Sequence, residues 1–214
     1  MWKTFPMDIQ KDEILESWLP EIWKMFLKYG LKSTTMYEIS KNLKISKKTL
    51  YLHFANKEEL VEKVMFWVIS PEKEIKEMEE YVAGNPIKSF NYVKHRLFRN
   101  LSDFHIQTIF FDLKKYHIDV YEKINSYVIR NFTNYISKTI ESGIEKGYFK
   151  KDTDVRIQVW VLSFIVSSIQ DPENYCKINV SLKKIISVII DNVIMNISTP
   201  VGIEEFEKIN KQME

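Results

Sequence analysis

The chain has 214 residues, 45% hydrophobic and 28% charged, which is too apolar for a disordered polypeptide and long enough to bury a sizeable core. Five Gly and six Pro against abundant Lys, Glu, Ile, Leu and Met favour long helices over short strands, so an all-α fold is expected. A net charge of +2 identifies no partner, and the single Cys176 excludes an intrachain disulfide and a cysteine metal cluster.

From Lys11 to Tyr29 the pairs Ile14-Leu15, Trp18-Leu19, Ile22-Trp23 and Phe26-Leu27 recur at helical spacing, and Gly30 follows as a C-terminal cap. Pro20 falls inside this run and predicts a kink or restart there. Thr35 with Glu38 forms a capping box that opens a second helix ending near Leu43. Ser46 can cap a third over Lys47–His53, and Asn56 with Glu59 opens a fourth from Lys57 toward Ser70.

Pro71 then breaks or kinks the chain, a charged helix continues over 72–82, and Gly84-Asn85-Pro86 is the clearest interruption. Beyond it the pattern predicts helices at about 86–101, 103–115, 118–146, 153–170 and 178–198, with a short one near 203–212. No run reaches the length of a membrane span, and the opening MWKTFPMDIQKDEIL lacks the apolar core of a signal peptide. A cytoplasmic protein without a membrane partner is expected.

The second helix, short turn and third helix have the lengths of a helix-turn-helix, in which the latter helix enters the major groove of DNA. From Lys41 to Lys57 there are five lysines (41, 44, 47, 48 and 57) and no carboxylate, a charge distribution suited to a phosphate backbone.

The stretch STTMYEIS…KISKKTLYLHFANKEELV resembles the N-terminal domain of the TetR family of transcriptional regulators. The matching positions are Phe26 and Gly30, Thr35, the core residues Ile39, Leu43 and Ile45, then Ser46, Thr49-Leu50-Tyr51, His53-Phe54 and Lys57-Glu58-Glu59-Leu60. By this resemblance Lys47, Lys48, Thr49 and Leu52 face the groove floor, where lysine donates to guanine and apolar groups meet thymine methyls. Thr35, Tyr51, His53 and Lys57 fall at phosphate-contacting positions, with Ser46 capping the recognition helix. Lys44 departs from the family pattern, which places Gly in the turn, and so has to adopt a conformation easier for Gly.

The resemblance implies a division at 1–56, carrying the DNA-binding helices and an N-terminal extension, and 57–214, a helical ligand-sensing and dimerisation domain. Ser142-Gly143-Ile144-Glu145-Lys146-Gly147-Tyr148-Phe149 resembles a junction found in many TetR-type proteins. The two long helices after it are apolar on more than one face, as expected of helices that pair across a two-fold homodimer. An aromatic-rich stretch begins at Phe104, and within the implied ligand pocket Phe110, Phe111, Tyr127 and Trp160 are candidates to contact a small apolar or aromatic effector.

The implied function is a repressor that binds a palindromic double-stranded operator as a homodimer and is released by its effector. The alternative is a helical ligand-binding or interaction protein without DNA binding. The histidines at 53, 95, 105 and 117 lack metal-ligand spacing, and no phosphate loop or serine elbow occurs. Neither an enzyme nor a cofactor or metal site is expected.

Overall fold

A computed structural model describes residues 13–69, 82–102, 104–168 and 180–212. Pro71, residues 72–81 of the expected helix over 72–82, residues 1–12 of the N-terminal extension, and Cys176 lie outside them. Ten helices form among the described residues: α1 (Glu13–Tyr29), α2 (Met36–Asn42), α3 (Lys47–His53), α4 (Lys57–Ile69), α5 (Pro86–Ser102), α6 (Phe104–Tyr116), α7 (Ile118–Glu145), α8 (Val155–Ser168), α9 (Leu182–Ile197) and α10 (Pro200–Lys211). The fold is all-α, and none of the described helices is long and apolar enough to cross a membrane.

The chain divides into two compact units. The first comprises Met1–Pro71 with Asp103–Val128, and the second Glu72–Ser102 with Ile129–Glu214. Packing therefore groups α4, α6 and the start of α7 with α1–α3.

In the first unit α1 packs on α4 and α6, and α2 on α3. Ile22, Phe26, Ile39, Leu50, Phe54, Leu60 and Val64 are fully buried with Leu113 and Ile124 in one apolar core. Helix α1 runs unbroken through Pro20, against the expectation of a restart. Proline removes one intrahelical hydrogen bond, but Leu15, Leu19, Ile22, Met25 and Phe26 lie on one buried stripe. Each buried side chain of this kind contributes about 1.5–3 kcal/mol, enough to hold the helix continuous where that one bond is missing. Gly30 ends α1 at φ 80°, its N–H donating to the Phe26 carbonyl at 2.8 Å.

In the second unit α9 and α10 pack on α5. Asn85 opens α5 by accepting the N–H groups of Ile87 and Lys88 at 2.9 and 3.2 Å, and Pro86 sits where no donor is needed. Ile186, Ile190 and Ile194 form the buried stripe of α9, meeting Ile87, Phe90, Ile140, Phe149 and Leu162. The glycine junction has a packing reason: a Cβ on Gly143 would lie 2.0 Å from the Phe149 ring, and Gly147 turns the chain at φ 77°.

Helices α8 and α9 are apolar on two faces, as the sequence indicated. Leu162 and Val166 are buried, whereas Ile157, Trp160 and Phe164 on α8, and Val188 and Met195 on α9, are exposed. Trp160 and Phe164 stack with ring centroids 5.6 Å apart.

Candidate nucleic-acid interface

Each of the three short helices from 36 onward begins at a cap dictated by local sequence. Thr35 Oγ1 accepts the Glu38 N–H at 3.2 Å, and the Thr35 N–H donates to the Glu38 carboxylate at 2.7 Å, completing the expected box. Hydrogen bonds from the Thr35 backbone and then its side chain, with a smaller effect of the Lys57 charge, hold the Glu38 carboxyl below its ordinary pKa. Ser46 Oγ accepts the Thr49 N–H at 3.0 Å and lies 2.8 Å from the Thr49 hydroxyl. At α4 the Glu59 N–H donates to Asn56 Oδ1 at 2.9 Å, but the Glu59 carboxylate reaches back to the Ala55 N–H at 2.7 Å, one residue further than the box in its usual form.

The turn between α2 and α3 brings Lys44 to φ 57°, the left-handed conformation the sequence demanded of it. The turn is fixed by the Lys44 N–H on the Lys41 carbonyl at 3.2 Å and the Ile45 N–H on the Ser40 carbonyl at 3.0 Å. Leu50 and Phe54 anchor one side of α3 in the core. This leaves Ser46, Lys47, Lys48, Tyr51 and Leu52 on the exposed side, Leu52 at 75% exposure, the condition for reaching a groove. Leu52, the sixth of the seven residues of α3, is an exposed apolar group of the kind that can meet a thymine methyl.

Four site residues have partners that the sequence did not reveal. The Lys47 ammonium lies 5.2 Å from the centroid of the Tyr37 ring, itself exposed on α2. Tyr37 was missed, since only the folded turn brings it beside Lys47. His53 is half-buried, its ring in an edge contact with Trp18 at 5.0 Å, and its carbonyl accepts from Lys63 at 3.1 Å. Thr49 is half-buried and engaged with Ser46. The Lys57 ammonium donates to the carbonyls of Leu31 and Lys32, and burial pushes its pKa down, partly offset by Asp112 and Glu38.

Asp112 on α6 was also missed. Its Oδ2 accepts the N–H groups of Leu31 and Lys32 at 3.0 and 3.4 Å. A Cβ on Gly30 would sit 3.2 Å from the same oxygen. Residues 31–32 are thus held by Asp112 through their donors and by Lys57 through their acceptors, three residues ahead of the Thr35 cap.

The candidate effector residues are described within their own units. Phe110 is half-buried against the first core, Tyr127 packs edge-on to Phe66 with centroids 5.7 Å apart, and Phe111 is exposed beneath Lys115. These three belong to the first unit and Trp160 to the second.

Two short helices joined by a tight turn, the latter exposing a lysine-bearing face above buried leucine and phenylalanine, define a helix-turn-helix protein. The family model for "Bacterial regulatory proteins, tetR family" matches residues 21–64, which contain α2 and α3 whole. The uncharacterized HTH-type transcriptional regulator YhgD of Bacillus subtilis is 30% identical over 132 residues, covering 59% of this chain and 67% of that protein. The HTH-type transcriptional repressor KstR2 of Mycobacterium tuberculosis is 26% identical over 137 residues, covering 61% of this chain and 66% of its own length. These matches span about two thirds of the relatives' length. In fold, the chain is similar to the transcriptional regulator FadR of Bacillus subtilis, solved in complex with stearoyl-CoA. The TM-score is 0.59 at 15% identity, with 84% of this chain and 97% of that one covered. The chain belongs to the TetR family of transcriptional regulators.

Proposed function

We propose that this protein is a repressor that binds a palindromic double-stranded DNA operator as a homodimer and leaves it when a small apolar or aromatic effector binds. The observation that carries the reading is α3: capped by Ser46 and anchored by Leu50 and Phe54, it exposes Lys47, Lys48, Tyr51 and Leu52 together. Lys47, Lys48, Thr49 and Leu52 read bases, while Thr35, Ser46, Tyr51, His53 and Lys57 set register on the phosphates. Lys47 exchanges its ring contact with Tyr37 for DNA, a hold of only about 0.5–1 kcal/mol at an exposed site. Lys57 contributes chiefly by bracing residues 31–32, so that the α2 N-terminus faces a phosphate.

Residues 1–56 carry DNA recognition in this reading, and 57–214 carry sensing and dimerisation. The exposed faces of α8 and α9, with stacked Trp160 and Phe164, support an isologous contact between two copies. Phe110 and Tyr127, both half-buried, are the best placed of the four candidates to meet an apolar ligand, in keeping with the acyl-CoA bound by FadR. Release requires the effector to favour a conformation whose recognition helices are mis-spaced for the operator.

The test is the mass, by light scattering, of the free protein and of its complex with a duplex selected from a randomised pool. Two chains are expected in each case, with a long-chain acyl-CoA or another apolar ligand shifting the complex to free dimer. A monomer at micromolar concentration contradicts the homodimer.

A further inference from the structure

The first unit carries a second basic surface, outside α3, in which lysines and exposed rings alternate. Lys28 Nζ lies 5.0 Å from the Tyr29 ring centroid, Lys32 Nζ 5.1 Å from that of Tyr116, and Lys115 Nζ 5.6 and 5.4 Å from those of Phe111 and Tyr116. Tyr29, Phe111 and Tyr116 are 53%, 62% and 39% exposed. Over 28–32 and 111–116 there are four lysines, 28, 32, 114 and 115, and one carboxylate, Asp112. That carboxylate is turned onto the backbone N–H groups of Leu31 and Lys32, so it accepts hydrogen bonds from the same segment that bears Lys32.

A solvated lysine face needs no aromatic rings, and exposing three of them has a hydrophobic cost of about 25 cal/mol for each Å2 of apolar surface left in water. Each ammonium lies 5.0 to 5.6 Å from a ring centroid, a contact of about 0.5–1 kcal/mol at an exposed site that lowers the ordering cost of binding an anion. In sequence Lys32 lies three residues ahead of Thr35, the cap of α2.

From this juxtaposition we infer that Lys28, Lys32 and Lys115, held against Tyr29, Phe111 and Tyr116, form a second phosphate-binding strip that engages the DNA backbone flanking the bases read by α3. The strip adds affinity and salt dependence without base preference. It rests on the DNA-binding reading above and extends the footprint to elements outside the helix-turn-helix.

The experiment compares wild type with Lys32→Gln/Lys115→Gln on two duplexes carrying the same selected motif, one trimmed to the motif and one extended by about ten base pairs, a helical turn, on each side. Both substitutions are at exposed positions, and Lys211→Gln at the end of α10 is the control. On the extended duplex the double variant should bind more weakly, with a slope of log K against log salt shallower by about 0.9 for each phosphate that is no longer neutralised. On the trimmed duplex it should match wild type, and its base preference should be unchanged on both. Equal slopes for variant and wild type on the extended duplex overturn the inference, as they would if the surface served an acidic protein. Equal weakening on both duplexes also overturns it, because the phosphates engaged would then lie within the motif. Failure of wild type to bind either duplex removes the DNA reading itself, a result distinct from disappearance of the flank effect alone.

Discussion

Asp112 and Leu31, 81 residues apart in sequence, are joined by a 3.0 Å hydrogen bond from the Leu31 N–H to Oδ2. The carbonyl of Leu31 takes the Lys57 ammonium, so one residue between α1 and α2 is held from α6 on one side and from α4 on the other. Both interactions lie within the first unit, and together they fix where α2 starts.

Replacing Asp112 by Ala strands the N–H groups of Leu31 and Lys32, and a stranded donor costs about 1–3 kcal/mol where water is excluded. Asp112→Ala should therefore lower the urea midpoint and weaken DNA binding together, and Asp112→Asn, which keeps an acceptor, should do less of both. An Ala variant with the wild-type midpoint would show that the carboxylate holds nothing.

Lys44, at φ 57°, stores strain that glycine would not. A side chain in the left-handed region costs about 1–2 kcal/mol, and the entropy glycine loses on folding returns roughly 0.5–1 kcal/mol of that. Lys44→Gly should raise stability by up to about 1 kcal/mol in chemical denaturation. A destabilised variant would mean that the lysine side chain itself supports the turn.

His117, just past α6, has its pKa lowered from 6.5 first by burial and then by the Lys57 charge, with Glu58 and Asp112 opposing. A base whose folded pKa lies below its unfolded value binds fewer protons when folded, so its contribution to stability is present above the unfolded pKa. It is lost as the pH falls from about 6.5 toward the lower folded value. Melting temperatures of wild type should decline from about pH 7.5 to about pH 5.5 more steeply than those of His117→Gln. Parallel profiles would remove His117 as the cause.

Gly143 faces the Phe149 ring so closely that a methyl group has no space. Gly143→Ala should cost about 1–3 kcal/mol through overpacking, and pairing it with Phe149→Leu should recover part of that loss. Calorimetric melting of the single and double variants checks the coupling, and additive losses would deny it.

What was legible in the sequence was local. Thr35 with Glu38 declares its helix within four residues, Ser46 announces the start of α3, and the strain at Lys44 follows from a missing glycine in a tight turn. Leu50 and Phe54, four residues apart and so on one face of α3, are the apolar pair that the structure buries. Asp112 could not be found that way: its partners are 80 and 81 residues distant, and nothing beside it in sequence announces them. The same holds for Tyr37 under Lys47, which depends on the angle between α2 and α3, and for Lys57, whose ammonium meets carbonyls rather than solvent. At Pro20 the restart that a local rule about proline allows does not occur, because the apolar stripe along α1 keeps the helix continuous.

The most direct measurement is the base preference of the wild type and of Lys47→Ala/Lys48→Ala, read by sequencing the DNA each enriches from a randomised pool and by anisotropy on the winning duplex at fixed salt. Wild type should enrich a two-fold symmetric motif, and the double variant should lose at least about tenfold in discrimination, toward the lower end of what specific base contacts carry. A double variant that enriches the same motif with undiminished affinity would contradict base reading by these two lysines at the start of α3.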